Sequence, residues 1–224
     1  MHRHFEHALD ALKTDIIRMS SLAEQAIAGS IRALLERKPE LARDIISNDD
    51  QINLMEVRID DAVVDLLALQ QPVASDLRLI LAALKINNDL ERIGDHAVNI
   101  AESAVQCAEH EPIKPFEDIT EMARITKEML RDSIDAFIHS DPEKSRQVLA
   151  NDDSIDALNK KVVSDLVGVM REHPDRIEHA LDLIRVSRNL ERVADLATNI
   201  AEEVIFIAEA QVVKHHLDKR GAWH

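Results

Sequence analysis

Apolar residues along the chain recur at steps of three and four, the period of one buried helical face. Phe5, Leu9, Leu12, Ile16, Met19, Ala23 and Ala26 make the first seam, which runs on through Ile31 and Leu34. Pro39 breaks it and suits the first turn of a second helix. That helix carries Leu41, Ile45, Asn48, Ile52, Met55, Ile59, Ala62, Leu66 and Leu69 on one seam and stops at Pro72. A third helix is predicted from Val73 to about Cys107, and the segment around Pro112 and Pro115 is the clearest boundary in the chain. Beyond it a fourth helix is predicted over 117–139, a fifth after Pro142, and a sixth after Pro174 that reaches towards Leu217.

The second half repeats the first. Pro39-Glu40 aligns with Pro142-Glu143, and Asn48-Asp49-Asp50 with Asn151-Asp152-Asp153, both at a separation of 103. The third and sixth helices align at a separation of 100, and nine of the thirteen pairs from Leu90/Leu190 to Glu102/Glu202 are identical. Long helices joined by a few residues run antiparallel, so each copy is an up-down-up bundle of three. The expected fold is all-α: two tandem three-helix bundles, residues 1–110 and 115–218, related by a pseudo-twofold repeat. Helices of about 30 residues are near 45 Å long, so the molecule should be elongated.

Both third helices carry a polar stripe where a second apolar one begins. Leu79, Ala83, Ile86, Leu90, Ile93, Ala97, Ile100 and Ala104 form one face of the third helix. Roughly opposite, Val73, Leu77, Leu81 and Leu84 give way to Asn88, Glu91, Asp95, Asn99 and Glu102. The sixth helix does the same, with Ile177, Leu181 and Ile184 followed by Arg188, Glu191, Asp195, Asn199 and Glu202. Glu91 and Asp95 stand one turn apart, as do Glu191 and Asp195, and like charges at that spacing repel. Partial burial would raise their pKa values and add to the cost. A multivalent cation relieves it, since two carboxylates and the amide oxygen of Asn99 or Asn199 are hard ligands on one face. Further oxygens are available from Glu56, Asp60, Asp152 or Asp156. The competing reading is a solvated acidic face neutralised by Arg92, Arg192 and Lys85.

Composition narrows the classes. The 224 residues carry 42 acidic against 27 basic side chains, a formal balance of −15. Such a chain has little to offer a phosphate backbone, which disfavours nucleic acid as a partner. Cys107 is the single cysteine, so neither an internal disulfide nor a thiolate cluster can form. No apolar run approaches the roughly 18 residues of a membrane span, and the start of the chain lacks the apolar core of a secretory signal. A cytoplasmic protein is expected. No Glu-x-x-His, His-Glu-x-x-His or glycine-rich phosphate loop occurs. His96 becomes Leu196 in the second copy, which argues against it as a ligand. His2, His4, His7, His215, His216 and His224 cluster at the termini, Cys107 reads as packing, and the methionines read as core filler.

The doubled Asn88-Asp89-Leu90-Glu91-Arg92-Ile93-Gly94-Asp95-His96-Ala97 and Asn189-Leu190-Glu191-Arg192-Val193-Ala194-Asp195-Leu196-Ala197 resemble the signature of PhoU, the family of bacterial phosphate-transport-system regulatory proteins. The likeness spans essentially the whole chain, including His4-Phe5-Glu6 and Pro72-Val73-Ala74-Ser75-Asp76-Leu77-Arg78. It implies six helices in two bundles, and metal on Glu91, Asp95, Glu191 and Asp195, with iron, zinc, nickel or magnesium as the ion. It implies a homodimer. It also implies negative control of phosphate uptake and of the phosphate-starvation response, through the transporter's ATP-binding subunit and a membrane sensor histidine kinase. Departures at Asp89/Asn189, Asn88/Arg188 and His96/Leu196 make the two sites unequal. The expected function is therefore a metal-bearing regulator and not an enzyme. The alternatives are a helical scaffold without functional metal and a metal-dependent phosphohydrolase, for which no general base, anion cradle or nucleophile is recognisable.

Overall fold

The computed structural model describes residues 2–70, 72–113 and 116–210. Among them every regular element is helical: α1 (His2–Glu36), α2 (Pro39–Ser47), α3 (Asp50–Gln70), α4 (Ala74–Cys107), α5 (Phe116–His139), α6 (Pro142–Ala150), α7 (Asp152–Glu172) and α8 (Ile177–Glu209), with a 3₁₀ turn at Pro174–Arg176. These are the six expected helical arms in two three-helix bundles, with the second arm of each bundle split into a short and a long piece. The expected continuation of the last helix towards Leu217 lies outside the described residues.

The split falls at asparagine in both copies. The Asn48 backbone N–H reaches back to the Asp44 and Ile45 carbonyls, and its side-chain amide donates to the Asp44 carbonyl at 2.7 Å. An asparagine amide that competes for helix carbonyls in this way ends the regular ladder. Asn151 (φ −86°, ψ −12°) occupies the same place between α6 and α7. The seam of apolar residues continues across each break, which is why periodicity alone reads one helix there.

The turns before α2 and α6 are also copies of each other. Arg37 and Ser140 adopt φ of 55° and 52°. The paired bonds Lys38 N–H to Ala33 O (2.9 Å) and Arg37 N–H to Leu34 O (3.3 Å) recur as Asp141 to Ala136 (2.9 Å) and Ser140 to Phe137 (3.3 Å). This is a Schellman closure with a non-glycine residue in the left-handed position. A proline at the start of α2 and of α6 then needs no backbone donor.

α4 and α8 lie side by side and antiparallel at the centre of the molecule. Lys85 meets Glu203, His96 meets Asn189, and His110 stacks on His179, so the two signature segments cross near their midpoints. α1 and α3 pack on α4, α5 and α7 pack on α8, and α1 meets α5. Leu12, Ile16, Ile59, Ile86, Leu90, Ile93, Ile134, Leu166, Leu190 and Val193 belong to one continuous buried cluster that spans both bundles. Gly94 lets α3 close on α4, since a Cβ there would meet Ile52 Cδ1 at 2.9 Å and Asp49 Oδ1 at 3.3 Å.

Candidate functional site

Along the polar stripes of α4 and α8, Asn88, Asp95 and Glu102 are exposed in the first copy, and Arg188 and Asn199 in the second. In the first bundle Glu91 and Asp95 stand near Asp49 and Glu56, which reach them from the α2/α3 break and from α3. Burial first, then the charges of Asp95, Glu56 and Asp49, push the Glu91 carboxyl above the usual range. Asp49 is also raised, chiefly by burial, against the Asn53 amide that donates to it at 3.1 Å. In the second bundle the Glu56 position is Asn159, whose oxygen accepts from Ser187 Oγ at 2.6 Å. There Arg192 holds Asp195 at 2.9 Å. The first copy therefore concentrates like charge that the second copy relieves.

This arrangement corrects the cofactor expectation. Among the described residues no group of three or more His, Cys, Asp or Glu comes together so as to hold a metal ion. The i,i+4 spacing does place two carboxylates side by side, but it spreads them along the helix axis by a turn. The neighbouring helices do not gather further donors onto one point. Glu91 and Asp95 thus stand near one another, and the iron, zinc, nickel or magnesium cofactor expected on Glu91, Asp95, Asn99, Glu191, Asp195 and Asn199 has no metal-holding group among the described residues. Arg192 on Asp195 is one of the ion pairs that the competing reading of a solvated acidic face calls for. His215, His216 and His224 lie outside the described residues.

The first halves of the stripes differ from expectation too. They read as a second core face, yet Val73, Leu77, Leu81 and Leu84 are 66%, 37%, 39% and 36% exposed, and Ile177 and Leu181 are also exposed. Among the described residues these side chains are left open, although α3 packs on α4 and α7 on α8.

The sequence did not single out the seam between α4 and α8. At one end Asp89 and Glu203 sit buried beside Lys85, with Asn199 bonded to Asp89. Burial pushes the Asp89 carboxyl up to about 6, opposed by Arg92 and by the Asn199 hydrogen bond. The available signal was register: Asp89 stands three residues after Ile86, and Glu203 three after Ile200, on faces that are otherwise apolar. At the other end Arg37 donates to the Ala108 and His110 carbonyls and ties α1 to the end of α4. Cys107 is buried there with its thiol pushed up to about 12, mainly by burial, and is a packing residue rather than a nucleophile.

The PhoU domain profile matches residues 16–104 and 119–204, one match for each bundle. The chain belongs to the PhoU family. It is 41% identical to the phosphate-specific transport system accessory protein PhoU homolog of Aquifex aeolicus, over 95% of this chain and 97% of that protein. It is 35% identical to the corresponding homolog of Clostridium acetobutylicum, over 93% and 96%. Its fold superposes on the crystal structure of PhoU from Pseudomonas aeruginosa with a TM-score of 0.90 at 35% identity, covering 92% of this chain and all of that one. The phosphate transport system regulatory protein PhoU from Streptococcus pneumoniae gives 0.88 at 27% identity, over 94% and 99%. PhoU-family proteins are regulatory rather than catalytic, and membership supports a PhoU-type role in phosphate homeostasis. Among the described residues no helix is long and apolar enough to cross a membrane.

Proposed function

We propose that this chain is a metal-free helical scaffold that restrains phosphate uptake and the phosphate-starvation response by protein contact. Its partners in this reading are the ATP-binding subunit of the phosphate transporter and the phosphate-sensing histidine kinase, met at the cytoplasmic face of the membrane. The observation that carries it is the pairing of two facts: relatives over nearly the whole length are named as transport-system accessory proteins, and no metal-holding group is found among the described residues. The uncovered face of α4 and α8, with exposed leucines beside acidic side chains, is the surface that such contacts would use. Its negative charge makes free phosphate a poor ligand and basic partner surfaces a good one.

Residues 1–110 and 115–218 are proposed as the two units of this scaffold. A homodimer belongs to the same reading, with Leu54, Val57 and Val64 on the outer side of α3, at 71%, 58% and 62% exposure, as its contact. Light scattering over a concentration series tests the dimer, and a monomer throughout removes it. The decisive experiment is deletion of the gene in phosphate-replete cells. Uptake and phosphate-starvation gene expression should rise, and the protein should co-purify with the transporter or the kinase. Wild-type levels of both, without co-purification, end the regulatory reading.

A further inference from the structure

Buried acids lie towards both ends of the α4/α8 seam: Asp182 at one end, where Arg185 stands 3.4 Å from it, and Asp89 and Glu203 at the other. Leu84, Lys85, Asp89, Asn199 and Glu203 border an open notch of about 380 Å³. Asp89 and Glu203 are each 8% exposed. Lys85 donates to Glu203 Oε1 at 2.8 Å and lies over the Phe206 ring, 5.6 Å from its centroid. Glu203 Oε2 remains buried with no hydrogen-bond partner. Across the pseudo-twofold axis the matching positions are Asn189 and Ser103, and both are satisfied. Asn189 donates to the Arg185 carbonyl and pairs with His96, each at 2.8 Å, and Ser103 donates to the Asn99 carbonyl at 3.0 Å. The two matched positions are thus satisfied in one copy, while in the other Glu203 is short of a donor.

A buried acceptor without a donor costs on the order of 1–3 kcal/mol, so a cation delivered from outside would recover that cost. The notch also adjoins an apolar track. Leu84 is on its rim, and Leu81, Leu77 and Val73 follow on the same face of α4 at three- and four-residue steps, all exposed. From Val73 to Leu84 the track is about 16 Å long at 1.5 Å per residue, which is the reach of three turns of a partner helix.

We propose that this notch receives the guanidinium of an arginine carried by an amphipathic helix of a partner protein, whose apolar residues lie on Leu84, Leu81 and Leu77. A guanidinium suits it better than an ammonium, because its planar fork can donate to Glu203 Oε2 and to Asp89 together. An anionic ligand is excluded by the carboxylates. The proposal rests on the partner-contact reading given above and adds to it where the contact lies and what chemistry it selects.

The test uses the full-length protein and a labelled helical peptide of about 18 residues. The peptide carries one arginine and, one, two and three turns along the same face, leucines. It is made in both chain directions, each with a citrulline twin that keeps the shape and removes the charge. Fluorescence anisotropy should show the arginine peptide binding at least about tenfold more tightly than its twin, as a charge pair at a partly buried site would. That preference should vanish in the isosteric double variant Asp89→Asn, Glu203→Gln, and should survive in Asp153→Asn on the exposed start of α7. Leu81→Ala should weaken both twins alike. Equal binding of the twins by the wild type, or a preference that survives the double variant, overturns the proposal. Circular dichroism of each variant guards against loss of fold. In cells, a deletion that derepresses uptake and is fully complemented by the double variant would sink the notch and leave the regulatory reading standing. A deletion without effect would end that reading, and the peptide comparison would still decide the notch.

Discussion

Asp89 and Asn189 occupy matched places in the repeat, and the contrast between them predicts a measurable pH effect. Asp89 is buried, and its carboxyl is raised from 3.8 to about 6, first by burial. Between those values the folded chain holds more protons than the unfolded one, so stability falls as pH rises through that window. At pH 7.5 the charged form costs on the order of 1–3 kcal/mol. Asp89→Asn, the residue that the second copy already has, should therefore raise the melting temperature at pH 7.5. The gain should shrink towards zero near pH 4, and thermal melts across that range check it. The same change is expected to weaken arginine selectivity at the notch, so here stability and binding pull in opposite directions. The Asp89/Asn189 departure was visible in the sequence, but its burial depends on which face α8 presents to α4, and a single helix wheel does not supply that. Glu91 and Asp95 show the complementary limit. Their spacing correctly put two carboxylates on one face, whereas convergence of a third donor depends on the path of α3 after the break at Asn48. No spacing within one helix specifies that path.

The helix ends of the two copies differ in ways that bear on stability. Ser140 holds a left-handed φ of 52° at the close of α5, and it is exposed. A residue with a Cβ pays about 1–2 kcal/mol for that conformation, whereas glycine does not. Ser140→Gly should stabilise the protein by about 0.5–1 kcal/mol after its own unfolded-state entropy is counted. The next residue works the other way. Asp141 caps α6, its carboxylate accepting from the Glu143 and Lys144 N–H groups at 3.0 and 3.1 Å. Asp141→Ala should cost about 1 kcal/mol. Urea unfolding of the two variants beside the wild type tests both signs in one experiment. The helices themselves were legible because their seams run long and their prolines stand between them. The breaks at Asn48 and Asn151 were not, because an asparagine that bonds to its own helix leaves the apolar period unbroken.

At the scale of the whole molecule, the repeat reads as two domains while the core behaves as one. Ala83, Ile86, Leu90, Ile93 and Ala97 of α4 and Leu183, Val186, Leu190, Val193 and Ala197 of α8 belong to one buried apolar cluster that runs through both bundles. Cutting between the bundles would divide that cluster and uncover apolar surface that a soluble three-helix unit of about 100 residues tolerates poorly. The two copies are therefore units of architecture that share their stability. Calorimetric unfolding is expected to be a single transition, with calorimetric and van't Hoff enthalpies equal. A fragment ending near residue 110 should aggregate or melt far below the full chain. No metal-holding group is found among the described residues, so treatment with EDTA should leave the melting temperature unchanged, whereas removing a ligand bound only to the folded state would lower it. Two resolved transitions, or a first bundle that melts on its own at the temperature of the intact protein, would show that the α4/α8 contact is a docking surface between independent domains. A drop in melting temperature on chelation would reinstate a metal in the fold.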